Sequence, residues 1–340
     1  MFQKTLSFDD VLLVPQKSEI KSRKEVSLSS SIGKTNFTLP IISSPMDTVT
    51  EDEMCKHMAW HGGFGVVHRY NTIEQQAEIV RKATVEGDEE FPAAAAVGVS
   101  DDLVPRAKAL IEAGAFLLCI DVAHGHHSNV EHALKTLRDK FGSNINIMAG
   151  NVATAEAFSD LEDWGADVIR VGVGGGSICS TRIQTGHGIP TLHSVVMCSN
   201  VAKTAMVVAD GGIKNAGDIV KSLAAGADFV MLGSLLAGTE QTPGQVFQNS
   251  EGEKYKVYRG MASVEAQLDW RGHASSLEGV STTIPYKGPV QDILSSLKQN
   301  IKSGLSYSGA RTLKDFRAKS QFVIQTQAGT RESFTHILLK

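Results

Sequence analysis

Residues 172–181 read Gly-Val-Gly-Gly-Gly-Ser-Ile-Cys-Ser-Thr, four glycines and a serine leading into one cysteine. Glycine admits positive φ and lets backbone approach a ligand closely. Exposed amides in such a loop can cradle a phosphate, here from Gly174 to Ser177. Cys179 beside that cradle would be a nucleophile aimed at an electrophilic carbon of a phosphate-bearing substrate. The bland reading is a glycine turn with a buried cysteine packed as a small hydrophobe. Carbonyls of the same loop could also circle a monovalent cation, on which composition is silent.

Other residues carry weaker signals. Asp210-Gly211-Gly212 is either a ribose-binding carboxylate on a glycine turn or a plain Asx turn. Gly233-Ser234 follows the last strand candidate, where barrels often place a phosphate site. His124, His126 and His127 match no ligand spacing, so a metal reading is set aside and Asp121 is preferred for ligand contact. Glu278 alone reads as a solvated charge. It becomes a candidate general acid if a closing flap desolvates it and raises its pKa.

Elements that could hold these groups recur along the chain. Strand candidates are 39–44, 64–68, 93–97, 116–121, 146–150, 168–172, 205–209 and 229–232. Most are near-continuous apolar runs, which suit parallel strands covered on both faces. Three joints, Leu110–Ala115, Leu161–Ala166 and Leu223–Ala227, repeat a helix end, a glycine and a buried strand. Eight strands alternating with helices predict an α/β fold, a (β/α)8 TIM barrel, over an open doubly wound sheet. The singled-out residues then fall at seven strand ends, where such barrels keep their chemistry. Residues 251–287 break the βα rhythm and read as an appended loop or flap. Residues 289–310 read as a helix, and 321–325 as a short β-like run in a C-terminal extension that would serve oligomer contacts.

The chain has 340 residues, 42% apolar and 21% charged, with formal net charge −4, so a large core is expected and a general nucleic-acid binder is not. Cys55, Cys119, Cys179 and Cys198 form no Cys-x-x-Cys pair, so neither a disulfide scaffold nor a zinc site is expected. Acids in the opening segment argue against a secretory signal, and no apolar run reaches spanning length. A cytoplasmic protein without a membrane partner is the expectation.

Several motifs in order resemble one family. Phe8-Asp-Asp-Val-Leu-Leu13, Ser44-Pro-Met-Asp-Thr-Val49, Ala149-Gly-Asn-Val152, Gly172–Thr181, Ala209-Asp-Gly-Gly212, Tyr258-Arg-Gly-Met261 and Pro285-Tyr-Lys-Gly288 are similar to the inosine-monophosphate dehydrogenase and guanosine-monophosphate reductase family over nearly the whole chain. The resemblance implies a (β/α)8 barrel binding GMP or IMP, a covalent bond from Cys179 to purine C2, a nicotinamide cofactor and a homotetramer. It implies nucleotide contacts from Ser44, Met46, Asn151, Ser177, Asp210, Gly211, Gly212, Gly233, Ser234, Tyr258, Gly260 and Met261. Arg69, Asp121, Val122 and Ala123 would meet the cofactor, and carbonyls of Gly174, Gly176 and Cys179 would bind potassium. Gly175 departs from the usual proline or serine, which should loosen the loop, and Val122 matches the reductases.

Two features choose the branch. The segment Val85–Phe91 runs straight into the third strand, where dehydrogenases usually carry inserted CBS modules, so one catalytic domain spanning 1–340 is expected. The short flap has Arg271 followed by glycine instead of a water-activating Arg-Tyr pair; the chain's one such pair, Arg69-Tyr70, is expected to lie far from the flap. Thr181 and Glu278 match the reductase residues that handle the proton of ammonia. The expectation is therefore an NADPH-dependent GMP reductase. The alternatives are an IMP dehydrogenase without CBS modules, using NAD and Arg271 or another base, a non-catalytic nucleotide-binding regulator, and a flavin barrel.

Overall fold

Apolar runs too short for helices and buried on both faces form the centre of the protein. In a computed structural model, which describes residues 3–87, 89–275, 277–333 and 335, they are β1 (Ile41–Ser43), β2 (Phe64–Val67), β3 (Ala93–Val97), β4 (Leu117–Asp121), β5 (Asn146–Val152), β6 (Val168–Val171), β7 (Met206–Asp210) and β8 (Phe229–Leu232). Each pairs in parallel with the next, and β8 closes on β1, giving the expected barrel. Ala94, Ala96, Cys119, Met148, Val208 and Met231 fill the barrel interior. Their neighbours Ala93, Ala95, Ile120, Ile147, Val207 and Val230 face the helices, which explains why these strands do not alternate with polar residues.

The covering helices are α1 (Asp52–Trp60), α2 (Ile73–Thr84), α3 (Leu103–Glu112), α4 (Ser128–Phe141), α5 (Ala155–Asp163), a short α6 (Thr181–Thr185), α7 (Thr191–Ser199) and α8 (Ala216–Ala224). The three repeated joints are one motif. Gly114, Gly165 and Gly226 have φ of 102°, 108° and 112°. The residue after each donates back to the last turn, as in Ala115 N–H to Leu110 C=O at 3.0 Å, which ends the helix and starts the strand.

The two barrel ends are built differently. At the strand N-termini, Phe37 from the hairpin Ser30–Ile32/Thr35–Phe37 packs on Phe64, Phe116 and Phe229 with ring centroids 4.7, 5.7 and 5.7 Å away. The other end is open and polar. Over it stands the segment expected as an appended loop or flap, which is a folded flap and more ordered than a loop. Lys254–Arg259 pairs antiparallel with Ser281–Pro285, and α9 (Val264–Arg271) lies between them. The reason is the alternation in Lys254–Arg259, which buries Lys256 and Tyr258 on one side. α10 (Val290–Tyr307) follows, and Phe322–Ile324 pairs with Val11–Leu13, tying the two terminal segments together. Between α2 and β3 the described residues form the short ladder Val85–Glu86/Glu89–Glu90. Among the described residues no helix is long and apolar enough to cross a membrane.

Candidate active site

The polar ends of the strands enclose a pocket of about 350 Å³, within the small-molecule size class. Every residue singled out as catalytic, nucleotide-binding, cofactor-binding or cation-binding lines it.

The cysteine loop follows β6. Gly172 leaves the strand at φ 146°, and a Cβ there would lie 1.9 Å from the Asp210 carbonyl oxygen, so only glycine lets β6 and β7 end this close. The loop then carries Cys179 to the flap. Cys179 and Gly279 form an antiparallel bridge, flanked by Ser180 N–H to Glu278 C=O at 2.9 Å and Val280 N–H to Ile178 C=O at 3.0 Å. This ladder sets three side chains in line. Cys179 Sγ lies 3.2 Å from Thr181 Oγ1, and Thr181 Oγ1 donates to Glu278 Oε2 at 2.7 Å. Glu278 is therefore no free surface charge: the flap delivers it to the thiol through one hydroxyl. Cys179 is partly accessible, whereas the other three cysteines are buried.

The proposed phosphate side is equally compact. A Cβ on Gly233 would lie 3.1 Å from both Ser44 Oγ and Tyr258 Oη and 3.3 Å from Met46 Sδ, so its missing side chain lets those groups converge. Tyr258 Oη is 3.4 Å from Ser177 Oγ. Burial raises the Tyr258 pKa, keeping its phenol neutral and able to donate. Lys287 Nζ donates to the Ser234 carbonyl at 2.6 Å and fixes the loop after β8.

Arg170 was not anticipated. It sits in the apolar run of β6, points into the barrel and binds Asp121 Oδ1 at 2.5 Å and Asp210 Oδ2 at 2.9 Å. Burial works against its charge, but Asp210 and then Asp121 outweigh this and hold its pKa well above the ordinary value. Asn151 donates to the same Asp210 oxygen at 2.8 Å. Asp210 is thus oriented by two side chains, with its remaining oxygen free for a diol, and the plain-turn reading does not describe it. A lone arginine inside an apolar strand, with two other strands, β4 and β7, ending in aspartates, was the available signal.

Tyr70 was also missed. It lines the pocket and stacks on Trp270 of α9, with centroids 4.1 Å apart and planes at 12°. The Arg69-Tyr70 pair, expected far from the flap, instead meets it, because the Trp270 stack brings α9 down on the loop after β2. Arg69 lies 5.3 Å from the Trp270 ring and 4.0 Å from Asp121, and its buried Nε has no hydrogen-bond partner. Arg271 turns elsewhere, donating to Gln267, to Ser275 Oγ at 2.8 Å and to the His273 carbonyl at 3.1 Å. Arg259 binds Asp47 at 2.7 Å and Asp269 at 2.6 Å, clamping the flap to the loop after β1. His126 bonds Asp160 at 2.8 Å, and His127 caps α4.

Comparison with known proteins agrees with this geometry. Residues 5–336 match the model of the IMP dehydrogenase / GMP reductase domain. The chain is 32% identical to a GMP reductase of Leishmania major, covering 98% of this chain and 97% of the relative. It is 37% identical to an inosine-5'-monophosphate dehydrogenase of Cryptosporidium parvum, covering 98% and 95%. A crystal structure of a Trypanosoma brucei GMP reductase variant with guanosine 5'-monophosphate superimposes with TM-score 0.94 at 30% identity, covering 98% of both chains.

Proposed function

The chain belongs to the IMP dehydrogenase / GMP reductase family, an oxidoreductase family, and from that premise we propose that it is an NADPH-dependent GMP reductase. The observation that carries this reading is the Cys179–Thr181–Glu278 line, closed by the flap, while Arg271 is held away from the pocket. A carboxylate relayed through a hydroxyl suits moving the proton of an amine.

The Cys179 sulfur adds to C2 of GMP. The C2–N bond breaks, and the amino group leaves as ammonia with a proton passed from Glu278 through Thr181. Purine C2 is then bonded to sulfur. A nicotinamide bound beside C2 would supply the hydride that takes the place of sulfur there, and Cys179 leaves as the thiolate. In sum, GMP, NADPH and two protons give IMP, NADP⁺ and ammonium. Asp210, oriented by Arg170 and Asn151, accepts from the ribose. Ser177, Gly212, Gly233, Ser234 and Tyr258 hold the phosphate, and Ser44, Met46, Gly260 and Met261 complete the nucleotide seat. Arg69, Asp121, Val122 and Ala123 border the other side of the pocket, where the nicotinamide would lie.

The carbonyls of Gly174, Gly176 and Cys179 would hold potassium, hard oxygen donors suiting a hard cation; replacing potassium by a larger organic cation should lower turnover. A homotetramer of single catalytic domains without CBS modules completes the reading, and light scattering on the purified chain tests the tetramer. The second reading, a dehydrogenase, draws on the Arg69-Tyr70 pair in the pocket. The deciding assay supplies GMP with NADPH, and separately IMP with NAD. NADPH oxidation with release of ammonia is expected; NADH formation from IMP without it would reverse the assignment.

A further inference from the structure

Arg69 and Tyr70 line the pocket, and Tyr70 carries the Trp270 ring of α9, yet both belong to the irregular loop after β2. The groups that hold this loop lie behind it, outside the pocket. Just before the pair, His68 is 2% exposed and its Nε2 meets Glu51 Oε1 at 2.9 Å. Just after the pair, the Asn71 carbonyl accepts from Arg106 Nη1 at 3.2 Å. Arg106 belongs to the first turn of α3 and is 6% exposed. Its guanidinium also donates to Gln76 Oε1 of α2 at 2.7 Å and, through Nε, to Asp102 Oδ2 at 2.7 Å. Gln76 is wholly buried and donates in turn to the Ala96 carbonyl of β3 at 2.8 Å. Burial works to raise the Asp102 pKa, but hydrogen bonds from Arg106 and Ser100 and the charges of Arg106 and Arg69 hold it below its ordinary value.

A buried guanidinium is costly unless its hydrogen bonds are met. Here one planar fork meets three acceptors, on the cap of α3, on the loop after β2 and on α2. Bonds to side chains alone would join helix to helix. The bond to the main-chain carbonyl directly after Tyr70 instead ties the loop, through Gln76, to the frame of β3. The surface on which α9 lands is therefore set from inside the barrel and not by the flap.

We propose that Arg106 is a positioning residue for flap closure: by holding the Asn71 carbonyl it fixes Tyr70 as the platform that receives Trp270. It rests on the proposed function in taking the closed flap as the state that carries Glu278 to Cys179. The test is Arg106→Lys, which keeps a charge opposite Asp102 but replaces the fork with a point charge that cannot span all three acceptors. The first readout needs no substrate. With Trp60→Phe and Trp164→Phe in every protein, Trp270 is the sole indole, and its quenching by acrylamide reports the stack. Quenching should rise about twofold in Arg106→Lys, toward the value of Tyr70→Ala, as the platform loosens. The second readout is kinetic. Arg106→Lys should lower kcat about tenfold, the scale of one lost hydrogen bond to a charged group, with calorimetric GMP affinity unchanged. In a Trp270→Ala background the same substitution should cost less than about twofold, because the platform has then already lost its partner. A merely structural arginine would lower the melting midpoint and act equally in both backgrounds. Unchanged quenching in folded Arg106→Lys overturns the proposal, and so do equal losses with and without Trp270. If Arg106→Lys does not fold, Asp102→Asn, whose side chain is 36% exposed, takes its place and must move both readouts the same way. If GMP with NADPH gives no turnover, the function above fails, while the quenching comparison still decides the role of Arg106.

Discussion

The two walls of the pocket are held by different forces. The barrel wall rests on strand pairing and on a charge triad, Asp121–Arg170–Asp210, whose arginine side chain is buried at 7% exposure between half-buried carboxylates. The flap wall rests on a few contacts across a surface: the Cys179–Gly279 bridge, the Tyr70–Trp270 stack and the Arg259 ion pairs. On the proposed function the barrel side would hold the nucleotide, whereas the flap side would bring the proton donor. Binding and chemistry should therefore separate under mutation.

The sharpest way to break this division is at the junction of the two walls. Cys179→Ala should lower turnover by at least about 10³-fold, the scale of losing a covalent nucleophile, while calorimetry still shows GMP binding. Loss of GMP binding as well would show that the walls are not separable. Glu278→Gln keeps the flap's shape and removes the acid, so kcat should fall by about 10²–10⁴-fold with little change in KM for GMP. Arg170→Met attacks the barrel wall instead. It removes the buried cation between two half-buried carboxylates and should cost about 3 kcal/mol of stability, read in a denaturant melt. An unaltered midpoint would mean that the triad does not support the wall. Trp270→Ala should lower kcat by about tenfold with a small change in melting temperature, and Trp270→Phe should recover most of it through the remaining stack.

The smallest effect concerns the frame alone. Burial pushes the Cys119 and Cys198 thiols up to about 12, and raises Cys55 too. The unfolded chain releases these protons near pH 8.5 while the folded chain retains them, so stability should fall as pH rises from about 8.5 toward 12. Each thiol adds up to about 1.4 kcal/mol per pH unit to that slope. Cys198→Val should flatten it by roughly one thiol's share without touching activity at neutral pH, and an unchanged slope would contradict the burial argument.

The barrel was legible because its strands are buried on both faces and leave uninterrupted apolar runs; Ala93–Val97 and Phe229–Leu232 were located to the residue. The pocket was legible because its residues cluster immediately after those runs. Arg170 was not, since one charge inside Val168–Val171 looks like an interruption until its two aspartate partners are brought beside it. The Tyr70–Trp270 stack was hidden for another reason. It joins residues 200 apart through the resting position of α9, which no local pattern encodes.

The bridge between Cys179 and Gly279 places nucleophile and acid on opposite strands of one ladder. Lifting the flap must break the Ser180–Glu278 and Val280–Ile178 hydrogen bonds and draw the Glu278 carboxylate away from Thr181. On the proposed function the site works as an interlock: a raised flap and an unbroken proton path from Glu278 to the thiol exclude each other.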